Sequence, residues 1–364
     1  MDKELIEIRR KYEILKEYLP VFPFTFVLKS TDSVNLPFYT GSTFRGLFGI
    51  AFKRISCTLS RTSSISKKIE HEKEKKLINY DCKNCMFRFS CPYMKIFEGY
   101  IEGEETPLEN VHTVPHPYVL EPPFNLNLHI YKKGEELSVG VNLIGRHIDD
   151  LPYFVAAFNE FENLRVGKSG GHLSLKSVYY MLGEETKPVL VYDEANGLLC
   201  TSDIRPRDDF KEKKIEEILR DKTLKVRFLT PTRIVYKGQL VKKLTFFIFL
   251  KGVISRVNDL IFLYSSIDNF EYPKDAKENL LNDDFNFREL LELSKQIEIK
   301  EDNLFWFDWR RYSKRQNRKM TLGGLMGEII FEGNFSKFIP FLTLGEYLHI
   351  GKNTTFGLGK YLIE

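Results

Sequence analysis

The chain has 364 residues, 43% hydrophobic and 29% charged, with a formal net charge of +4. That length suits two domains of ordinary size, and the composition describes a soluble globular protein able to bury real cores. A charge this mild excludes polyanion binding driven by overall charge, so any nucleic-acid contact must come from local clusters. The opening Asp2-Lys3-Glu4-Leu5 is too charged for a secretory leader, and the apolar run 246–250 ends at Lys251, too short for a bilayer. The expected compartment is cytoplasmic.

Residues 1–18 read as a charged amphipathic helix. Residues 24–28 alternate and are β-rich, which predicts a strand. The run Tyr39-Thr40-Gly41-Ser42-Thr43-Phe44-Arg45-Gly46 then predicts a Thr/Ser-capped helix after a glycine turn. Its first N–H groups and Arg45 would face any phosphate nearby. Residues 61–76 form a mixed-charge stretch, an exposed helix or a mobile insertion. Around it stand Cys57, Cys82-x-x-Cys85 and Cys91, with Cys200 apart. Four such thiols can close a tetrahedral structural zinc site. Disulfides are the poorer reading in a cytosolic chain, while an iron–sulfur cluster would use the same ligands and plain reduced cysteines are the bland alternative.

Alternation over 125–143 about Lys132-Lys133-Gly134-Glu135 predicts a hairpin. Residues 151–161 predict a helix, followed by the loop Arg165-Val166-Gly167-Lys168-Ser169 and a strand over 173–178. The polar stretch 193–207 marks the boundary between an N-terminal domain, 1–200, and a C-terminal domain, 201–364. The second domain opens with a strand at 224–229 and a helix at 244–264, while 269–301 reads as polar and irregular. The six-residue segment 164–169 recurs as 348–353 at an offset of 184, half the chain, so one fold has been built twice. Strand, helix, hairpin, helix, strand in each half is the βαββαβ order of a ferredoxin-like, RRM-like domain. The expected fold class is α+β: two such domains in tandem, with a cysteine-containing insertion around 57–91 in the first.

Residues 309–319 carry six bases and no acid among eleven positions: Arg310, Arg311, Lys314, Arg315, Arg318 and Lys319, interleaved with Trp309 and Tyr312. Guanidinium forks suit phosphates and aromatic faces suit unpaired bases. The loop Gly351-Lys352-Asn353-Thr354-Thr355-Phe356-Gly357-Leu358-Gly359-Lys360 has the composition of a phosphate cradle. It lacks the upstream glycine of a P-loop, which argues against nucleotide hydrolysis. His349 precedes this loop where Arg165 stands in the first copy, and an imidazole beside a phosphate is a ready proton donor and acceptor. A partly buried, loop-shaping His349 is the rival reading.

The segments 309–316 (WRRYSKRQ), 323–328 (GGLMGE), 348–352 (LHIGK) and 356–359 (FGLG) resemble the C-terminal domain of CRISPR-associated endoribonucleases that process precursor CRISPR RNA, members of the RAMP superfamily. Gly41-Ser42-Thr43-Phe44-Arg45-Gly46, the cysteine group and Leu151-Pro152-Tyr153 are similar to members of the same group. The resemblance implies two ferredoxin-like domains that bind CRISPR repeat RNA and cleave it without a metal. A ribose 2′-hydroxyl would attack the adjacent phosphate. It further implies His349 as general acid/base, Lys352 stabilising the phosphorane, Arg311 and Arg315 holding the backbone, and Tyr312 stacking or hydrogen bonding. Arg45, Arg165, Lys168, Arg310, Lys314, Arg318, Gly351, Gly357, Gly359 and Lys360 complete the expected RNA surface. No cofactor is expected for catalysis, and effector-complex subunits are expected partners. The alternative is a non-catalytic RAMP subunit that holds guide RNA.

Overall fold

The computed structural model describes residues 2–57, 81–99, 114–124, 129–183, 186–267, 285–313 and 318–364. In chain order its elements are helix α1 (Asp2–Tyr18), strands β1 (Val21–Ser30) and β2 (Val34–Leu36), helix α2 (Gly41–Ser56), strands β3 (Tyr118–Glu121), β4 (His129–Tyr131) and β5 (Glu136–Ile144), and helix α3 (Leu151–Asn159). Strands β6 (Leu173–Tyr180) and β7 (Val189–Asp193) close the first half. The second half has helix α4 (Glu212–Asp221), strand β8 (Thr223–Thr232), the short pair β9 (Val235–Tyr236) and β10 (Gln239–Leu240), and helices α5 (Phe246–Tyr264) and α6 (Phe287–Ser294). Strands β11 (Glu298–Ser313) and β12 (Arg318–Glu332), helix α7 (Ile339–Leu348) and strand β13 (Tyr361–Ile363) end the chain.

Phe22, Phe24, Phe26 and Leu28 alternate along β1 and turn one face into the first core. Phe44, Leu47, Phe48, Ala51 and Phe52 recur at helical spacing on α2 and cover that face, together with Phe154 and Phe158 of α3. The sheet runs β3-β5-β1-β6-β7, every pairing antiparallel. The second sheet runs β11-β12-β8-β13, also antiparallel. Leu224, Val226 and Phe228 alternate toward α5, whose Phe249, Leu250, Val253 and Val257 are buried against them. Counting the core strands of each half in order of appearance, both sheets read 4-1-3-2, the order of a ferredoxin-like fold. The duplication legible in the sequence is thus a duplication of fold.

Helix α1 crosses that symmetry. Its Ile8, Tyr12 and Leu15 belong to the second core, where the helix packs on α7.

Three expectations change. Strand β4 pairs with β2 and not with β5, because the end of β1 takes the turn: Gly134 N donates to Ser30 O at 2.7 Å, and Ser30 N to Glu135 O at 2.9 Å. Part of the polar stretch 269–301 is regular, since Asn286 caps α6 by accepting from Glu289 N at 3.0 Å, and β11 begins at Glu298. Helix α2 lacks a side-chain N-cap; the Thr40 hydroxyl donates instead to Pro123 O. The mixed-charge stretch 61–76 lies outside the described residues.

The two repeated loops have the same backbone. Gly167 at φ +70° and Gly351 at φ +80° are left-handed. A Cβ would stand 2.2 Å from Asn35 O on the first and 2.3 Å from Arg233 O on the second. The next residue donates in each case to that same carbonyl: Lys168 N to Asn35 O and Lys352 N to Arg233 O, both at 2.9 Å. Gly351→Ala is therefore expected to cost at least about 2 kcal/mol through φ strain and backbone collision. The midpoint of urea unfolding checks this, and an unshifted midpoint would refute it.

Candidate nucleic-acid interface

The hairpin β11–β12 is the longest pairing in the molecule, running from Glu298 opposite Glu332 to Ser313 opposite Arg318. Arg310 pairs with Thr321, Arg311 with Met320 and Tyr312 with Lys319, so the basic segment occupies the far end of a two-stranded ribbon. Lys314 and Arg315 lie outside the described residues. At the base of this tip Trp309 is 3% exposed and packs 4.9 Å from the ring of Tyr39, within a small cluster completed by Leu322 and Leu358. Trp309 therefore anchors the ribbon to the first half; its face is not available to a base.

The glycine-rich loop is a clasp between the halves, which corrects the reading of a phosphate cradle. Phe356 O accepts from Tyr39 Oη at 2.6 Å, and Thr355 Oγ1 accepts from Arg45 Nε at 2.9 Å. Gly357 and Gly359 are buried, one against Leu120 O and Pro122, the other against Ile350 O. Their missing side chains admit the protein's own backbone. Arg45 is sandwiched 4.5 Å from the Phe97 ring and 4.9 Å from that of Phe356, so it joins the halves and does not aim at solvent phosphate.

His349 is fully enclosed, at 0% exposure. Its Nε2 stands 2.9 Å from Glu121 Oε1, and its Nδ1 stands 3.0 Å from Leu358 O. Burial pushes its pKa down against the pull of Glu121. A ring without a surface cannot reach a leaving oxygen, so the expected acid/base role is corrected to a structural one. Lys360 is likewise engaged, as an ion pair with Glu121. Burial alone would raise the Glu121 carboxyl, but Lys360 and His349 hold it well below the usual carboxylate range. Asn142 Nδ2 adds donors to Glu121 Oε1 at 3.1 Å and to Tyr347 O at 2.9 Å.

What remains exposed is smaller than the sequence suggested: Arg165 and Lys168 on the first loop, and Gly351 and Lys352 on the second. The tip positions Arg310, Arg311, Tyr312 and Arg318 join them on the ribbon, placed by their backbone alone. Beside the first loop lies a pair that spacing could not reveal. Asp32 Oδ2 is 3.0 Å from His172 Nδ1, and Asp32 Oδ1 accepts from His172 N at 2.6 Å. The His172 side chain is 36% exposed. The pairing lowers the pKa of Asp32, through the His172 hydrogen bonds first. His172 was a sequence candidate to replace His349, without its Asp32 partner; Glu121, Asn142 and His116 were missed, since each acts through residues distant in sequence.

Among the described residues, no three His, Cys, Asp or Glu side chains stand as a ready-made metal shell. Cys57, Cys82, Cys85 and Cys91 nevertheless line one cavity. No described helix is long and apolar enough to cross a membrane.

Two ferredoxin-like sheets are thus clasped by a glycine-rich loop, and the second carries a basic ribbon. A family model described as an N-terminal domain, AF_1859_N, matches residues 19–204, and the model of the CRISPR-associated endoribonuclease Cas6 matches residues 226–361. The chain belongs to the AF_1859_N family, whose model spans just over half of it, and its second half carries the Cas6 signature. No curated protein matches the sequence. Among solved structures, a partial Cas6-RT-Cas1–Cas2 complex and the fuller Cas6-RT-Cas1–Cas2 complex are each similar at 14% identity and TM-score 0.50, with 96% of this chain covered. The chain spans 47% and 29% of those two chains. A Cas6 product complex is similar at 15% identity and TM-score 0.49, over 94% of this chain and 100% of that one. At such identities the likeness is one of fold.

Proposed function

We propose that this protein binds CRISPR repeat RNA and cleaves precursor CRISPR RNA by metal-independent attack of a ribose 2′-hydroxyl on the adjacent phosphate, with departure of the 5′-hydroxyl of the next nucleotide. The observation that carries this reading is the Cas6 endoribonuclease match over 226–361, which contains the basic ribbon. Lys168 and Lys352, at equivalent places on the duplicated loops, hold phosphates. Arg310, Arg311, Lys314, Arg315 and Arg318 track the RNA backbone, and Tyr312 stacks on or hydrogen bonds to a base. With His349 enclosed, the acid/base is His172, oriented by Asp32. The similar fold in Cas6-RT-Cas1–Cas2 complexes supports CRISPR-associated subunits as partners.

The test is cleavage of an end-labelled repeat RNA in EDTA, with His172→Ala beside the wild type. A single cut, slowed about 10²-fold or more in the variant with binding retained, is the expected result. One observation favours a second reading, a guide-holding RAMP subunit that does not cut: the histidine placed next to the loop is buried. Tight binding with no cut in EDTA or in magnesium would establish that reading instead.

Binding itself has a separate signature. Lys168→Glu and Lys352→Glu should each weaken binding and reduce the slope of log K against log salt by about 0.7, one released counterion on single-stranded RNA. An unchanged slope would remove these loops from the interface.

A further inference from the structure

We infer that Cys57, Cys82, Cys85 and Cys91 bind one structural zinc ion as thiolates, between the end of α2 and the segment that follows it. Four thiols from three places in the chain line a single cavity, with Lys53, Tyr93 and Met94 as its other walls. Cys57 is the C-cap of α2, and its N–H donates to Lys53 O at 3.0 Å. Cys82 and Cys85 sit on one tight turn, Cys85 N donating to Cys82 O at 3.2 Å. Cys91 opens the helical turn Tyr93–Phe97, its carbonyl accepting from Lys95 N at 3.1 Å. None of the four is in a disulfide.

The donor set suggests the ligand. The cavity that the four thiols line has room for one ion. Four sulfurs drawn to about 2.3 Å around a single centre is the closed, four-coordinate shell of structural zinc. Charge agrees with that choice. A zinc ion with four thiolates carries two net negative charges, and Lys53, only 6% exposed, brings its ammonium to the same cavity.

Packing shows why the segment needs such a tie. No residue from 81 to 92 is buried, and Met86, Phe87 and Phe89 are 79%, 45% and 37% exposed. Apolar burial therefore does not fix this stretch, and metal ligation supplies order where a core is lacking.

Elemental analysis of the full chain, purified with reductant from zinc-supplemented medium, should give about one zinc per chain. Cys200→Ser should keep that zinc, while Cys82→Ser and Cys85→Ser should lose it. A measurement on the unmutated protein guards against misfolded variants. A thiol reagent should react quickly with one cysteine, the exposed Cys200, and with all five only after a strong chelator. Cobalt substitution should add the visible absorption of a tetrahedral thiolate site. Absence of zinc together with five thiols reactive before chelation would overturn the inference, as would iron with acid-labile sulfide in place of zinc. Full zinc retention by the Cys82→Ser and Cys85→Ser double variant would overturn it too. None of these outcomes depends on whether RNA is cut.

Discussion

Glu121→Ala is expected to destabilise the protein by about 3–5 kcal/mol, the usual result of removing one partner from a buried ion pair. The carboxylate stands at the end of β3 in the first half and meets donors from three other elements: Lys360 before β13, His349 after α7, and Asn142 on β5. Its side chain is 19% exposed, so little of the lost interaction is replaced by water. Removing it leaves the Lys360 ammonium partly buried without its acid and the His349 ring without its Nε2 partner. Glu121→Gln keeps the size and one acceptor and should cost less. Adding Lys360→Met to Glu121→Gln should recover part of the loss, since both charges then go together. Urea unfolding with an unchanged m-value measures all three. A loss below about 1 kcal/mol for Glu121→Ala would show that the clasp holds without its charges.

Acid should open the same seam. His116 Nε2 donates to Phe97 O at 2.8 Å, and Arg45 Nη2 stands 3.3 Å away. Burial first, then the Arg45 guanidinium, pushes the His116 pKa down to about 3, from about 6.5 for an unhindered imidazole. Because the folded value lies below the unfolded one, the unfolded chain binds the extra proton as pH falls beneath 6.5. Its stabilising contribution is complete above pH 6.5 and declines by about 1.4 kcal/mol per unit down to about pH 3. Glu121, held low, adds a loss of the same sign below the ordinary carboxylate pKa. Asp259, pushed up to about 6 by burial, acts with the opposite sign, as does the buried Glu346. The share due to His116 is therefore read as wild type minus His116→Gln, a variant that keeps a donor for Phe97 O. That difference should be constant above pH 7 and change steadily toward pH 4 in unfolding midpoints. A difference independent of pH would mean that His116 keeps its ordinary pKa in the folded protein.

Much of the architecture was legible because it is written in local periodicity. The alternating phenylalanines of β1, the helical spacing of Phe44 to Phe52 and the offset repeat around Gly167 and Gly351 each point to the element found. The duplicated loop was legible as sequence but not as chemistry. Glycines that let a backbone approach a phosphate equally let it approach another backbone, and only the packing of Gly357 on Leu120 O and Gly359 on Ile350 O decides between the two. His349 illustrates the same limit. Its neighbours in sequence are basic and glycine-rich, while the partner that fixes its role, Glu121, lies 228 positions away. The Trp309 ring likewise looks like a stacking platform until Tyr39 is found against it. Periodicity reports which face of an element is buried; it does not report which other element does the burying.

The seating of α1 on α7 has a consequence for synthesis. About 320 residues separate the end of the first helix from the start of the second. At roughly 10 residues per second, the apolar face formed by Ile8, Tyr12 and Leu15 waits on the order of half a minute for its permanent cover. The first half can assemble its own sheet in that interval, and Phe210 can meet Tyr12 earlier, yet the leading helix cannot complete its seat until α7 emerges. A nascent chain of this design holds a sticky segment in reserve at the ribosome, so its yield in cells should depend on chaperones that shield such segments, and cutting the chain between its halves should leave two pieces that recover together better than apart.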